Sequence, residues 1–287
     1  MDKLTWDIQQ ILNTNKDGSF ATQKDRQQML NTFAKNLKTI GHNQMRVKSL
    51  REKHFQKMIN RMKDEGKSSG TMKNLMSHSR WLMRKVGLEH RIPTNQKLGI
   101  KDRTYVTNNS KAVQLKQEHL DKINNVRIQY SLKLQASFGL RREEAMKFNA
   151  VKCDNGDKIS LKASTTKGGR ARDIPFTHDK QRSLINEIKK EIGNNSLIPA
   201  DKSYIEQLNK YKNVVPKSGL GKGHGLRHNY AQQRYKELTG RDCPALGGKR
   251  QKDMTKEERE VDRKARLQIS SELGHVREQI TSVYLGS

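Results

Sequence analysis

Residues 151–174 read VKCDNGDKISLKASTTKGGRARDI, and this stretch decides the fold class because its pattern differs from that of its surroundings. Short runs of alternating apolar and polar residues are separated by DNGD and TKGG, which are typical of hairpin turns. The pattern predicts three short antiparallel strands, at residues 151–153, 159–161 and 171–174. On both sides of the stretch, apolar residues recur at helical spacing. We therefore expect a mainly α protein with a small three-stranded antiparallel sheet, an α+β fold.

The first 92 residues read as a helical domain. Apolar residues recur at helical spacing between Met29 and Ile40 and again between Leu50 and Met62. Another helix is expected to begin after Ser68, whose side chain suits an N-cap position. Its sequence TMKNLMSHSRWLMRKVG carries basic residues outside the apolar stripe, namely Lys73, Arg80, Arg84 and Lys85. Such a face is usually only solvated, and in this chain it is also a candidate surface for nucleic acid.

The helical pattern lapses over residues 93–112, where a proline, turn formers and scattered charge predict an interdomain linker. Residues 113–287 then form a second predicted domain, which contains further helical segments and the predicted strands. Within it, residues 247–266 read GGKRQKDMTKEEREVDRKAR and are mostly charged. We expect this segment to be partly helical and exposed.

The charge balance indicates the partner. The 287 residues include 58 Lys and Arg against 30 Asp and Glu, which gives a formal net charge of +28 and a sequence pI of about 10.1. Phosphate backbones neutralise such a surface and release condensed counterions, so nucleic acid is the expected partner. Only 5% of the residues are aromatic, which argues against the stacking platforms of single-strand binders and favours duplex DNA.

The chain is expected to be a cytoplasmic protein associated with DNA. Cys153 and Cys243 lie far apart without metal-type spacing, so neither a disulfide framework nor a zinc site is indicated. The N-terminal sequence MDKLTWDIQQILN has no basic segment followed by an apolar core, and no later uncharged run is long enough to span a bilayer. No membrane partner is therefore expected.

Two motifs place positive charge where a phosphate could bind. In GLRREE, Arg141 lies where one helix ends and another begins, and Glu144 could hold it in place. Most such Arg–Glu pairs are only structural salt bridges. In TTKGG, Lys167 projects from a glycine-rich turn, although most turn lysines are only solvated.

Two further motifs carry histidines and a tyrosine. His224 and Arg227 lie three residues apart in HGLR, on one face near the start of a helix, where an anion is favoured. His228 could pair with His224 as a metal ligand, but no carboxylate or cysteine stands at matching spacing, so no metal site is predicted. Farther along, LGH is followed by Tyr284, nine residues after His275. Singly, these two residues are more often part of the core or surface.

Taken in order, the four motifs resemble those of the tyrosine recombinase, or phage integrase, family over about residues 113–284. That family's catalytic domain is preceded by a helical core-binding domain, to which residues 1–92 are similar in architecture. The segment TMKNLMSHSRWLMRKVG looks like that domain's DNA-facing helix. The resemblance implies a catalytic set of Arg141, Lys167, His224, Arg227, His275 and Tyr284, with Glu144 in support.

The resemblance also implies a role for each residue, with Tyr284 as the nucleophile. Arg141 and Arg227 would bind the phosphate bidentately, so that no metal or other cofactor is needed. A phenol with a pKa of about 10 is a poor nucleophile at neutral pH, and His224 would accept its proton. Lys167 would protonate the 5′-oxygen leaving group. His275 would hydrogen-bond the phosphate.

The implied activity is that of a site-specific recombinase or integrase, which cleaves and rejoins duplex DNA through a 3′-phosphotyrosyl link without metal or ATP. The implied partners are duplex DNA at specific sites, further copies of the chain in a homotetramer on two DNA sites, and accessory DNA-bending or directionality proteins. Type IB topoisomerase activity and a non-catalytic DNA-binding regulator remain as alternatives. An RNA-binding or ribosomal protein is indicated only by the charge.

Two features differ from the family pattern. The chain between His224 and His275 is longer than in compact relatives, and the charged residues 240–266 fill the excess. This segment is a candidate contact for DNA or a partner. Only the residues Leu-Gly-Ser follow Tyr284, whereas many relatives continue into a helix that docks on the neighbouring protomer.

Overall fold

The computed structural model describes residues 2–166, 168–275 and 277–287, and it divides the chain into two compact units, Met1–Thr104 and Tyr105–Ser287. Helices predominate in both units, and the described residues contain one two-stranded antiparallel sheet. The expected mainly α class is therefore confirmed. No helix in the described ranges is both long and apolar enough to cross a membrane.

The first unit is a packed set of helices. These are α1 (Lys3–Thr14), α2 (Phe20–Thr39), α3 (Glu52–Asp64) and α4 (Ser69–Lys85). Apolar side chains at helical spacing form the core, in which Phe33 of α2 stacks on Phe55 of α3 with ring centroids 5.5 Å apart. The backbone amide of Thr71 donates to the Ser68 hydroxyl at 3.2 Å, so the predicted start of α4 is confirmed.

The second unit packs its helices around a small sheet. The elements are α5 (Gln117–Asp121), α6 (Val126–Phe138), α7 (Arg142–Met146), α8 (Ala150–Cys153), β1 (Lys158–Leu161), β2 (Arg172–Pro175), α9 (Asp179–Ile192), α10 (Tyr204–Val214), α11 (His224–Thr239), α12 (Lys256–Glu272) and α13 (Ser282–Leu285). β1 and β2 pair with Leu161 opposite Arg172 and Ile159 opposite Ile174. The apolar members of these pairs are buried in the core that also receives Phe138 of α6.

The prediction of three strands is wrong, because residues 151–153 belong to α8. The Asn149 side chain caps this short helix and accepts a hydrogen bond at 2.9 Å from the backbone amide three residues on. Val151 is 45% exposed. A three-residue apolar alternation fits one helical turn as well as a strand, and here the cap favours the helix. An isolated bridge between Asp154 and Ile159 takes the place of the expected third strand.

The charged segment 247–266 is partly helical, as expected, but the prediction that it is exposed is wrong for its last turn. Asp262 and Arg266, one turn apart on α12, are fully buried. Arg266 Nε donates to both carboxylate oxygens of Asp262, at 3.0 and 2.8 Å. Because each charge compensates the other, a stretch of charged sequence can enter a core.

Candidate active site

The turn between α6 and α7 positions Arg141. Gly139 ends α6 with φ at +61°, in the left-handed region, and a Cβ there would lie 2.9 Å from a methyl group of Leu273. Leu140 is buried, and the Arg141 side chain immediately before α7 is 21% exposed. The guanidinium therefore reaches the surface from a tightly packed backbone.

Glu144 holds this arginine from inside the fold. Its carboxylate accepts hydrogen bonds from the backbone amide and Nη1 of Arg141, both at 2.8 Å. Arg172 on β2 binds the same carboxylate through Nη2 at 2.6 Å and Nη1 at 3.1 Å. Burial acts to raise the pKa of Glu144, but the hydrogen bonds and charge of Arg172, together with hydrogen bonds from Arg141, lower it to about 2. Glu144 is therefore ionised at neutral pH.

Arg172 is a residue of this site that the sequence reasoning missed. Its Nε also donates to the backbone carbonyl of Glu272 at 2.8 Å, so it joins the Arg141 support to the end of α12. The signal was present in the strand pattern, because residues two apart on β2 share a face and Ile174 is buried. A charge on an inward face requires a partner, and Glu144 supplies it.

Glu144→Gln is expected to reduce the acid sensitivity of the fold. The folded-state pKa near 2 lies below the ordinary value of 4.5. The ionised carboxylate therefore contributes stability above about pH 4.5 that is lost as the pH falls toward about 2, a contribution of about 3 kcal/mol. Urea unfolding between about pH 6 and pH 3 measures the difference. Glu143→Gln, on the exposed neighbouring carboxylate, should lose as much stability as the wild type, and equal loss in all three proteins would contradict this role.

Arg227 is the buried cation of the site. It lies one turn into α11, which begins at His224, and it is 1% exposed. Its Nη1 donates to the carbonyl of Gly139, and its Nη2 donates to the carbonyl of Leu273 at 2.5 Å. Its Nε donates to the Tyr284 hydroxyl at 3.2 Å. Burial lowers the pKa of Arg227 to about 10 while Tyr284 acts in the opposite direction, so the guanidinium stays charged at neutral pH.

Tyr284 lies in α13, 6% exposed, with its hydroxyl beside a histidine as well as Arg227. The Tyr284 Oη is 3.5 Å from Nε2 of His275, and this nitrogen is 3.2 Å from Nη2 of Arg227. Burial, followed by the charges of Arg227 and Arg141, lowers the pKa of His275 to about 4. The His275 ring is therefore neutral at pH 7, and its unprotonated nitrogen can accept a proton.

Two histidines of α11 also lie close to the phenol ring. The His224 ring centroid is 6.1 Å from that of Tyr284, and burial, then the charges of Arg227 and Arg141, lowers the pKa of His224. His228 lies nearer, at 4.6 Å, and burial lowers its pKa to about 4. The sequence reasoning considered His228 only as a metal ligand. Within the described ranges, no group of three or more His, Cys, Asp or Glu side chains could hold a metal ion.

The second unit thus brings together five of the six predicted catalytic residues, with Glu144 behind Arg141. Lys167, the sixth, lies outside the described residues. The glycines that follow it have positive φ, +85° at Gly168 and +65° at Gly169, in the connection between β1 and β2. This connection is where the sequence predicts a hairpin turn.

The four basic residues predicted to face DNA lie on α4, in the first unit, where each has a partner. Lys73 pairs with Asp102 at 2.5 Å, Arg84 with Glu89 at 2.5 Å, and Lys85 with Asp17 at 3.7 Å. The Arg80 guanidinium donates to the backbone carbonyl of Pro93 at 3.0 Å and to the Asn95 side chain at 2.9 Å. Their contact with DNA stays a prediction.

Two family models match the chain. The model described as phage integrase, N-terminal, matches residues 1–92, and the model described as integrase matches residues 100–233. No curated protein matches the chain.

Solved structures share the fold along nearly the whole chain. A lambda integrase dimer bound to a COC′ core site has a TM-score of 0.65 at 14% identity. The match covers 98% of this chain and 93% of the lambda integrase chain. The Tn1549 transposon integrase in complex with transposon right end DNA has a TM-score of 0.58 at 13% identity, with coverages of 99% and 94%. The XerH site-specific recombinase bound to difH has a TM-score of 0.58 at 16% identity, with coverages of 98% and 81%. Because both family models match and the fold is shared with these structures, the chain belongs to the tyrosine recombinase, or phage integrase, family of site-specific DNA recombinases.

Proposed function

We propose that this chain cleaves and rejoins duplex DNA at specific sites through a 3′-phosphotyrosyl intermediate, without metal or ATP. The observation that supports this most is the contact of the Tyr284 hydroxyl with a buried guanidinium and with an imidazole nitrogen. A phenol in that setting can lose its proton while a cation stabilises the resulting charge. The order of the catalytic set along the chain is that of the family to which the chain belongs.

The DNA partner follows from charge and from the relatives. The net charge of +28 suits a polyanion, and solved relatives include a lambda integrase dimer on a core site and a lambda integrase tetramer bound to a Holliday junction. We carry both over as proposals, so that four copies of this chain act on two DNA sites. In the first unit, DNA phosphates would replace the carboxylate partners of Lys73, Arg84 and Lys85, while Arg80 would exchange its carbonyl partner.

In the proposed reaction, the two arginines Arg141 and Arg227 bind the non-bridging oxygens of the scissile phosphate. The Tyr284 Oη attacks phosphorus, and a new phosphorus–oxygen bond forms as the bond to the 5′-oxygen breaks. The phenol proton passes to a histidine, and the 5′-oxygen takes a proton from Lys167. Glu144 keeps Arg141 in place by the contacts described above. Because the phosphotyrosyl bond retains the energy of the phosphodiester, a 5′-hydroxyl can attack it and rejoin the strands without ATP.

The proton acceptor is one of two histidines, and kinetics separates them. The sequence assigns the role to His224, whereas His275 has its Nε2 3.5 Å from the tyrosine hydroxyl. Replacement of the acceptor by Gln is expected to slow cleavage by about a hundredfold or more, and replacement of the other histidine should have the smaller effect. Single-turnover cleavage rates of His224→Gln and His275→Gln measure this, and near-wild-type rates in both variants would exclude both residues as the base.

A substrate with a 5′-bridging phosphorothiolate serves as the internal control in the same experiment. Its thiolate leaves without protonation, and so it should restore cleavage by Lys167→Ala but not by the base variant. Equal impairment of Lys167→Ala on both substrates would remove the general-acid role.

Covalent capture tests the proposed function as a whole. Nicked duplexes with a randomised sequence are incubated with the protein, denatured, and recovered through the attached chain. A DNA-linked peptide containing Tyr284 is expected, and its absence would leave a non-catalytic DNA-binding regulator. Type IB topoisomerase activity is favoured instead if the chain relaxes plasmids lacking a captured site and assembles no complex of two sites.

A further inference from the structure

The backbone immediately after Tyr284 is anchored inside the second unit. Leu285 is fully buried, and the carbonyl of Gly286 accepts a hydrogen bond from Nη1 of Arg266 at 2.9 Å. The carbonyl of Tyr284 itself accepts one from the Gln232 side chain of α11, also at 2.9 Å. Buried side-chain donors thus hold the backbone on both sides of Leu285.

Arg266 is held for this task by a buried network. Its Nε binds both oxygens of Asp262, and Asp262 also accepts hydrogen bonds from the Tyr235 hydroxyl and the Gln251 side chain, each at 2.6 Å. Gln251, Asp262 and Arg266 all belong to the charged segment 247–266. That segment therefore has a structural connection to the residues that follow the nucleophile.

Gly286 fits the same anchor through its backbone. Its φ of +80° lies in the region that side chains disfavour, and a Cβ added there would lie 2.7 Å from the Asn108 side chain, 2.8 Å from the Ala245 backbone nitrogen and 3.1 Å from Pro244. The turn around Ala245 lies immediately before the charged segment 247–266. Gly286 is therefore approached by Pro244 and Ala245 at one end of residues 244–266 and by Arg266 at the other.

We propose that Arg266, held by Asp262, forms with Gln232 and the backbone around Ala245 a clamp that positions the Tyr284 hydroxyl at the arginines of the site, and that Arg266 is its main positioning residue. The proposal rests on Tyr284 being the nucleophile. The clamp holds the hydroxyl beside Arg227, where the proposed reaction places the scissile phosphate.

The proposed function and the clamp fail in different ways. If the wild type itself forms no Tyr284 adduct, the proposed function fails. If the wild type forms the adduct, the following variants test the clamp by itself.

Loosening the clamp is expected to slow cleavage by about tenfold to a hundredfold at saturating DNA, because a small displacement of a nucleophile is costly. Gly286→Ala is the main variant, since it leaves the buried Asp262–Arg266 pair intact. Asp262→Asn combined with Arg266→Gln is the second, and it removes both charges together. Hydrogen exchange at residues 282–287 should rise in both variants while DNA affinity stays within about twofold.

Two control variants match these changes. Gly247→Ala places a side chain at a φ of +85° with no atom within 4 Å, and Arg263→Gln removes an exposed arginine from α12. Both should cleave at the wild-type rate. Cleavage by Gly286→Ala within about twofold of the wild type, with unchanged exchange at residues 282–287, would overturn the clamp, as would equal losses in the controls.

Discussion

Tyr284→Phe is expected to abolish covalent capture of DNA, with a loss of at least about a thousandfold in adduct formation. The substitution removes only the hydroxyl, which accepts from Arg227 and lies beside His275. The ring keeps its packing against His228, since the two ring centroids are 4.6 Å apart. The fold and the phosphate contacts should therefore remain, and only the attacking oxygen is lost. Single-turnover reactions on a captured nicked duplex, separated on denaturing gels, measure the adduct.

Tyr230→Phe is the matched control. Tyr230 is also a tyrosine of the second unit at 6% exposure, but its hydroxyl donates to Glu272 at 2.7 Å rather than facing the arginines of the site. This variant should form adduct at close to the wild-type rate, and both variants should bind DNA. Adduct in Tyr284→Phe at the wild-type level would mean that another residue is the nucleophile.

Arg227→Lys is expected to slow cleavage by about a hundredfold to a thousandfold, the usual cost of losing one preorganised donor at a developing charge. Lysine keeps the positive charge but cannot reproduce the fork that contacts Gly139, Leu273 and Tyr284 at once. Both carbonyls and the phenol lose a donor, so the nucleophile is also less well positioned. The rate of adduct formation at saturating DNA is the measurement.

Arg234→Lys controls for the general effect of removing a buried guanidinium from α11. Arg234 is 9% exposed and binds Glu272 and Glu237 without contacting Tyr284. Thermal unfolding of both variants shows how much stability each loses, and comparison at a temperature where both are folded isolates the chemical step. If Arg227→Lys cleaved within about threefold of Arg234→Lys, the proposed role of Arg227 in the transition state would be wrong.

The sequence predicted the mainly α class because this class depends on local pattern, and the resemblance of the ordered motifs to those of a known family implied the catalytic set. Apolar residues at helical spacing indicate a helix whatever lies nearby, and the start of α4 at Ser68 needs only a cap within three residues. The order of the motifs is a property of the chain itself. The prediction of a strand at residues 151–153 was wrong because three residues carry too little pattern to distinguish a strand from a helical turn. The Asn149 cap favours the helix there.

Burial was predicted least well where charges compensate each other. Residues 247–266 read as an exposed charged segment, yet Asp262 and Arg266 are buried against Tyr235. Charge by itself indicates solvent, and only a partner at the right distance makes burial possible.

By itself, the sequence determined the helical pattern, the polyanion-binding charge and the order of Arg141, Lys167, His224, Arg227, His275 and Tyr284. Only the tertiary structure decided that Arg172 joins Glu144, that His228 packs on the phenol, and that Arg266 holds the carbonyl of Gly286. The physical reason is that these contacts are directional and depend on atoms brought within a few ångströms by packing, whereas helical period and net charge are set by neighbouring residues and by composition.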